Sequence, residues 1–191
     1  MLNKMAVCKV VLLAAVIAFA FTASAFAQDA TYVGNSQCKI CHNKKEEGEQ
    51  WTKWKAEAHA KAFEKLSTPE AQAVATKAGV TKPPAEAPEC LKCHATAADE
   101  ATGKCPEKIK PEDGVQCESC HGPASAHTAA AKKFKSGDKT AEPAKSIKKG
   151  DAETCKKCHN EKNPTAKPGE VFDFDKQYAK INHSNPAKAA K

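Results

Sequence analysis

Cys117-Glu118-Ser119-Cys120-His121 is one of four segments of this chain with the pattern CxxCH, the others being 38–42, 90–94 and 155–159. Residues three and four apart are neighbours on a helix, so both cysteines and the histidine of such a segment share one face. Two thiols so placed can form thioethers with the two vinyl groups on one porphyrin edge, and the histidine can lie under the iron. The pattern is the attachment sequence of c-type haem.

Two other uses of eight paired cysteines have to be weighed against haem. Four CxxC pairs could form two zinc sites of four thiolates each, and an exported chain could use them in disulfides. Neither explains why a histidine follows every second cysteine. The motifs therefore predict four covalent haems c, numbered 1 to 4 along the chain. The thioether cysteines are Cys38, Cys41, Cys90, Cys93, Cys117, Cys120, Cys155 and Cys158, and the proximal ligands are His42, His94, His121 and His159.

The N-terminus predicts export. Lys4 and Lys9 precede or flank an apolar run over 10–21, and Ala25-Phe26-Ala27 has the small-x-small pattern of a cleavage site. We expect a signal peptide over 1–27 and a tetrahaem domain over 28–191. The apolar run is too short to span a bilayer well, so no stable membrane anchor is expected after cleavage. Because c-type haem is attached outside the cytoplasm, the expected location is the periplasm, with the extracellular space as the alternative.

The composition leaves too few apolar side chains for an ordinary core. Hydrophobic residues make up 41% of the chain, many of them lie in the predicted signal, and most of the rest are alanine or cysteine. Each haem buries several hundred Å², worth on the order of 10 kcal/mol at roughly 25 cal/mol per Å². We expect a mainly α fold with long loops, organised compactly around four covalently attached haems, and a largely unfolded chain without them.

Three histidines lie outside the motifs, and they are candidates for the second axial position. They are His59, His127 and His183, and residues 28–191 contain no methionine that could replace them. The chain thus offers seven histidines for eight axial positions. His127 follows His121 by only six residues, about 9 Å along a helix, so it is expected to serve a neighbouring haem.

His59 lies in a segment with helical apolar periodicity. Trp51, Trp54, Phe63 and Leu66 recur at spacings of three or four residues, which predicts a helix over 44–66 with His59 on its apolar face. A second helix is expected to begin at a capping serine, Ser67, and to stop near Gly79.

The residues around the motifs resemble the tetrahaem cytochrome c-554 family. The resemblance rests on Tyr32-Val33-Gly34, on His59-Ala60, on the run 114–123 around the third motif, and on Phe172-Asp173-Phe174 before His183. It implies that three haems have two histidine ligands and that haem 2, at His94, is five-coordinate. It also implies that His59 is distal to haem 3, His127 to haem 1 and His183 to haem 4.

The leading interpretation is an exported carrier of single electrons between periplasmic or extracellular redox proteins. Two histidine ligands without methionine predict low haem potentials. One alternative is an enzyme that reduces or oxidises a small nitrogen or oxygen species at the open haem of His94. Another is a subunit of an extracellular conductive filament, which a deficit of one ligand disfavours. A monomer or weak oligomer is expected.

Two features remain outside this scheme. Cys105 is a ninth cysteine downstream of the signal, expected in a loop as a free thiol near solvent. The formal charge is +7, and all of the basic residues are lysine. The lysine runs are short and lack arginine, and export points away from nucleic acid, so we expect solvated surface or docking sites for acidic redox partners.

Overall fold

A computed structural model describes residues 30–167, 169 and 171–183 of the chain. The chain divides into two units, Met1–Ala30 and Thr31–Lys191, and everything below concerns the second. The predicted signal peptide over 1–27 lies outside the described residues. Within the described part of the chain, no helix has the length and apolar character needed to cross a membrane.

The described residues form eight α-helices and several 3₁₀ turns, with no strand among them. Long loops connect the helices, which confirms the expected mainly α fold. The helices are α1 (Asn35–His42), α2 (Gln50–Ala56), α3 (Pro69–Lys77), α4 (Pro88–His94), α5 (Cys117–His121), α6 (Ser125–Lys135), α7 (Ala152–Lys156) and α8 (Phe174–Ile181).

The single helix predicted over 44–66 is wrong. A 3₁₀ turn at Lys45–Glu47 is followed by α2, and two more 3₁₀ turns cover Ala58–Lys61 and Glu64–Ser67. Glu49 takes a left-handed conformation with φ 53°, and Glu57 is extended with ψ 162°, so the helix is interrupted on both sides of α2. His59 therefore sits on a short turn after a break, where its direction is independent of the α2 face.

The second helix of that region is confirmed, although its cap is not the serine that the sequence suggested. The helix α3 begins at Pro69, and the hydroxyl of Thr68 accepts a hydrogen bond from the Ala71 N–H at 3.2 Å. Gly79 has φ +73°, the left-handed conformation typical of a residue just past a helix end.

The polypeptide provides little apolar core of its own. The buried hydrophobic residues among those described are nine, and five of them are alanine. One small cluster forms around Leu66, Leu91 and Ala95, between the end of the 3₁₀ turn at Glu64–Ser67 and helix α4. This poverty agrees with an interior that is completed by cofactor. The larger buried side chains are Trp54, Leu66, Leu91 and Ile109.

Buried polar contacts organise the centre of the fold instead. The Thr96 hydroxyl accepts a hydrogen bond from the Gln116 N–H at 2.7 Å, and the Gln116 side chain accepts one from the Asn35 N–H at 3.1 Å. The Trp54 indole donates to the Val115 carbonyl at 2.8 Å. These bonds hold the loop before the third motif against α1, which carries motif 1, and against α2, which precedes His59.

Candidate haem-binding sites

Each CxxCH motif lies on or beside a short helix. Helices α1, α4 and α5 each end on the histidine of their motif, and α7 contains Cys155, with His159 a turn further on. The start of α7 is capped by Asp151, which accepts a hydrogen bond from the Thr154 N–H at 2.8 Å. In the three helices that end on it, the histidine shares one helical turn with both cysteines, as thioether attachment requires.

All eight motif cysteines have intermediate exposure, and cysteines of different motifs approach one another. Cys38 of motif 1 and Cys117 of motif 3 share a hydrogen bond, which lowers the pKa of Cys38 and raises that of Cys117. Cys93 of motif 2 and Cys158 of motif 4 do the same, lowering the pKa of Cys93 to about 7 and raising that of Cys158.

A third approach joins motifs 3 and 4. Burial and the neighbouring Cys155 side chain raise the pKa of Cys120, and a Cβ on Gly150, just before α7, would lie 3.5 Å from the Cys120 Cβ. Three of the motif pairs therefore meet through their cysteines: 1 with 3, 3 with 4, and 4 with 2.

Six of the histidine rings form three pairs. The ring centroids of His42 and His127 are 6.1 Å apart, those of His59 and His159 are 6.0 Å apart, and those of His121 and His183 are 6.1 Å apart. Two imidazoles that ligate one metal from opposite sides, with metal–nitrogen bonds of about 2 Å, have centroids about 6.3 Å apart. Each pair thus has the spacing that one iron requires.

Hydrogen bonds hold most of these rings through Nδ1. That nitrogen donates to the Lys148 carbonyl from His121 at 2.8 Å, to the Pro143 carbonyl from His127 at 2.9 Å, and to the Ile181 carbonyl from His183 at 3.0 Å. His42 donates in the same way to the Gln50 side chain at 3.2 Å. A proton fixed on Nδ1 leaves the lone pair on Nε2, the nitrogen that would bind the metal.

Burial also favours the metal-binding form of the rings. It lowers the pKa of His42, His59, His159 and His183, in each case as the main cause. A neutral imidazole is the form that ligates a metal. These side chains are therefore uncharged and ready to ligate iron at neutral pH.

His94, in motif 2, is the exception. Its Nδ1 donates to the Ala62 carbonyl at 2.7 Å, so its Nε2 is oriented like those of the other motifs. Among the described residues, however, no histidine ring is paired with it. The one axial position of the eight for which the chain offers no histidine therefore falls at this motif, where the resemblance placed the five-coordinate haem.

The distal assignments drawn from the resemblance need correction. His59 was expected to serve haem 3 and His183 haem 4, but His59 lies beside His159 of motif 4 and His183 beside His121 of motif 3. His59 lies on the 3₁₀ turn that follows the break at Glu57, and His183 lies just after helix α8. His127 lies beside His42 of motif 1, which is the haem that the resemblance gave it.

Two contacts near the candidate sites were not predicted from the sequence. Phe172 stacks on His159 with ring centroids 4.8 Å apart and planes inclined by 20°, and no periodicity marks that contact in advance. Cys105 is half-buried against the Leu66 cluster, and burial raises its pKa, so it is less open to solvent than expected. Both contacts depend on long loops, whose paths the sequence pattern does not determine.

Comparison with known proteins gives a consistent result. The sequence model of the family described as "Cytochrome c554 and c-prime" matches residues 37–122. Cytochrome c-554 of Nitrosomonas europaea is 34% identical over 161 residues, covering 78% of this chain and 66% of the relative. The match thus spans just under two thirds of that relative's length. The solved structure of the reduced state of cytochrome c554 from the same organism is similar, with 30% identity, a TM-score of 0.47, and coverage of 85% of this chain and 83% of that one.

Proposed function

This chain belongs to the cytochrome c-554 family, and from that premise we propose that it is an exported tetrahaem carrier of single electrons. The family makes it a c-type cytochrome with four haem c groups, one for each CxxCH motif. When bound, haem iron supplies a one-electron ferric–ferrous couple. The observation that carries the proposal is the chain of cysteine contacts through all four motifs.

In this proposal the eight motif cysteines hold the four groups covalently. The imidazole pairs His42 with His127, His121 with His183, and His59 with His159 hold three irons on both sides, and the ring spacing of about 6 Å supports that role. His94 holds the fourth iron on one side. Ligation by two imidazoles keeps reduction potentials low, since methionine ligation is what raises them.

The cysteine contacts support one continuous order of attachment sites. Cys38 meets Cys117, Cys120 lies beside Cys155, and Cys158 meets Cys93. The order is therefore motif 1, motif 3, motif 4 and motif 2, and each neighbouring pair of haems would be held by cysteines that lie close together. Such a series suits a carrier that accepts an electron at one end and gives it up at the other.

The test is a count of spin states together with a count of electrons. EPR of the oxidised holoprotein is expected to give three low-spin haems and one high-spin haem, and a reductive titration four equivalents per chain. Four low-spin haems would contradict the ligand assignment at His94. Fewer than four equivalents would contradict the carrier with four working groups.

We propose a docking surface for a redox partner beside motif 1. The Lys135 ammonium is 3.2 Å from the Cys41 sulfur, so the end of helix α6 meets motif 1. The residue before each of them is an exposed apolar side chain: Phe134 is 41% exposed and Ile40 is 65% exposed. Lys139 lies over the Phe134 ring, 4.3 Å from its centroid. We call these residues, with Lys39, the motif 1 surface.

An apolar centre with ammonium groups around it suits an acidic redox protein. The lysines steer the encounter over several ångström, while the exposed Ile40 and Phe134 give the apolar contact that brings the two redox groups together. We therefore propose acidic periplasmic electron carriers or oxidoreductases as partners. Export by the predicted signal peptide places the chain in the same compartment.

His94 supports a second candidate function. It is the one motif histidine without a ring opposite it among the residues that the structure describes, and this favours an exchangeable position for a small ligand. Catalysis there would also need a proton donor. Stopped-flow mixing of the reduced protein with nitric oxide separates the two functions: binding without turnover supports the carrier, and sustained consumption with an electron donor supports the enzyme.

A further inference from the structure

Glu118, the second residue of motif 3, is a buried carboxylate. It is only 2% exposed. One oxygen accepts hydrogen bonds from the Val33 N–H at 3.0 Å and the Ala124 N–H at 2.8 Å, and the other accepts from the Gly34 N–H at 2.8 Å. The carboxylate thus ties residues 33 and 34, which precede motif 1, to the segment that follows motif 3.

The contacts of Glu118 are those of an ionised carboxylate. Both oxygens accept from N–H donors, whereas a protonated carboxyl group would need an acceptor for its own hydrogen. The ion pairs in the described part of the chain all join exposed lysines to other acids, namely Glu142, Asp151 and Glu153. The Glu118 charge is therefore balanced by backbone dipoles, with no counter-cation beside it.

That charge lies where two attachment sites meet. Glu118 directly follows Cys117, and its charge acts on both the Cys117 and the Cys38 thiol, which touch each other. Asn35 completes the contact, since its side-chain oxygen lies 3.2 Å from the Cys117 sulfur. The buried charge thus lies where attachment cysteines of motifs 1 and 3 meet.

We propose that Glu118 is a positioning residue that sets redox potential, its buried negative charge stabilising the ferric state of haems 1 and 3. This inference rests on the proposed function, because it needs the four haems to be redox-active. A fixed negative charge favours the more positive oxidation state and so lowers the reduction potential. At a distance on the order of 10 Å and an effective dielectric of about 20, one charge changes an equilibrium about tenfold.

The experiment is a mediated redox titration of holoprotein variants, in which each haem takes up one electron from a soluble mediator. In Glu118→Gln we expect two of the four couples to move upward, with about a tenfold higher ferrous-to-ferric ratio at a fixed potential, equivalent to about 59 mV for one electron. EPR of partly reduced samples identifies the two as haems 1 and 3. Glu118→Asp keeps the charge, and its couples are expected to stay near those of the unchanged protein.

The exposed Glu153, two residues before Cys155, provides the matched control. Its side chain is 79% exposed and pairs with Lys156, so Glu153→Gln is expected to leave all four couples in place. Unchanged couples in Glu118→Gln, or equal shifts in Glu118→Gln and Glu118→Asp, would overturn the inference, since the second result marks a purely structural role.

A further variant covers the case in which Glu118→Gln fails to fold with four haems. Asn35→Asp adds a negative charge beside Cys117 and is expected to lower the same two couples; no movement would overturn the inference. Failure of the proposed function is separate, because it shows in the unchanged protein as fewer than four electrons per chain.

Discussion

Five of the seven candidate axial imidazoles are held by a hydrogen bond from their own Nδ1. His127 donates from Nδ1 to the Pro143 carbonyl, and α6 holds it facing His42. The angle between paired rings then follows from backbone geometry: 18° for His42 with His127, and 76° for His59 with His159. The angle between the planes of two paired rings is a property that EPR spectroscopy can measure.

The ring angles predict which EPR signal each ligand controls. Nearly parallel imidazoles give a ferric low-spin haem an ordinary rhombic signal, and nearly perpendicular ones give a single large low-field feature. His59→Ala is therefore expected to remove a low-field feature, and His127→Ala a rhombic signal, each with a gain of high-spin haem. Loss of the rhombic signal in His59→Ala would contradict the pairing of His59 with His159.

The candidate ligands can be named from the sequence, but which two rings face each other cannot. The residue type and the number of histidines outside the motifs are enough to identify His59, His127 and His183 as candidate ligands. The choice between His121 and His159 as the partner of His59 depends on how the chain turns at Glu57, and apolar spacing looks the same in an interrupted helix as in a continuous one. The CxxCH motifs can be recognised in the sequence because thioether attachment of one haem requires a fixed spacing of the two cysteines and the histidine.

At the level of secondary-structure elements, the short helices are held together by close backbone contacts and polar side chains. Few apolar side chains pack between them. The 3₁₀ turn at Ala58–Lys61, which carries His59, rests on the loop at Gly114. Gly114 has φ +66°, and a Cβ there would lie 2.6 Å from the His59 carbonyl oxygen. The Val115 N–H donates to that same oxygen at 3.0 Å, so the loop before motif 3 and the His59 turn form one unit.

Gly114→Ala is expected to destabilise the holoprotein and disturb His59 together. The Gly114 backbone, with φ 66° and ψ −141°, lies in a region that residues other than glycine rarely adopt, at a cost of about 1–3 kcal/mol, and the collision adds about 1–3 kcal/mol. Gly79→Ala is the control, because Gly79 has φ +73° and nothing within 4 Å of its Cβ position. Thermal unfolding with EPR measures both effects. Equal losses of stability in the two variants would show that the close approach at Gly114 is unimportant.

At the level of the whole molecule, the chain folds around cofactors. The larger buried apolar side chains of the described residues are Trp54, Leu66, Leu91 and Ile109, too few for a domain of this size. Composition alone predicted this poverty of core. It could not predict the paths of the long loops, which are set by contacts such as that of Lys135 with Cys41.

Protein made without haem is expected to be largely unfolded. Each missing group removes on the order of 10 kcal/mol of apolar burial, far more than the few apolar contacts of the chain can replace. Far-ultraviolet circular dichroism and amide hydrogen exchange of the haem-free chain, compared with the holoprotein, measure the loss. Helical content and protection close to those of the holoprotein would contradict it.

The motif 1 surface is expected to control the rate at which an acidic partner associates. In Lys135→Glu and Lys139→Glu, electron transfer from an acidic flavodoxin, used as the probe donor, should slow several-fold at low salt, and its dependence on ionic strength should weaken. Lys77→Glu, an exposed lysine on α3, makes the same charge change elsewhere and serves as the control. Equal slowing in all three variants would point to overall charge instead of this surface.

The three imidazole pairs also interlock along the chain. The segment between His42 and His127 overlaps that between His59 and His159, and both overlap that between His121 and His183. A covalent cross-link that closes a loop of about 100 residues is worth about 4.7 kcal/mol in chain entropy, and a metal bridge acts in the same sense. Because the three loops overlap, each would restrict the unfolded chain in segments that the other loops also restrict.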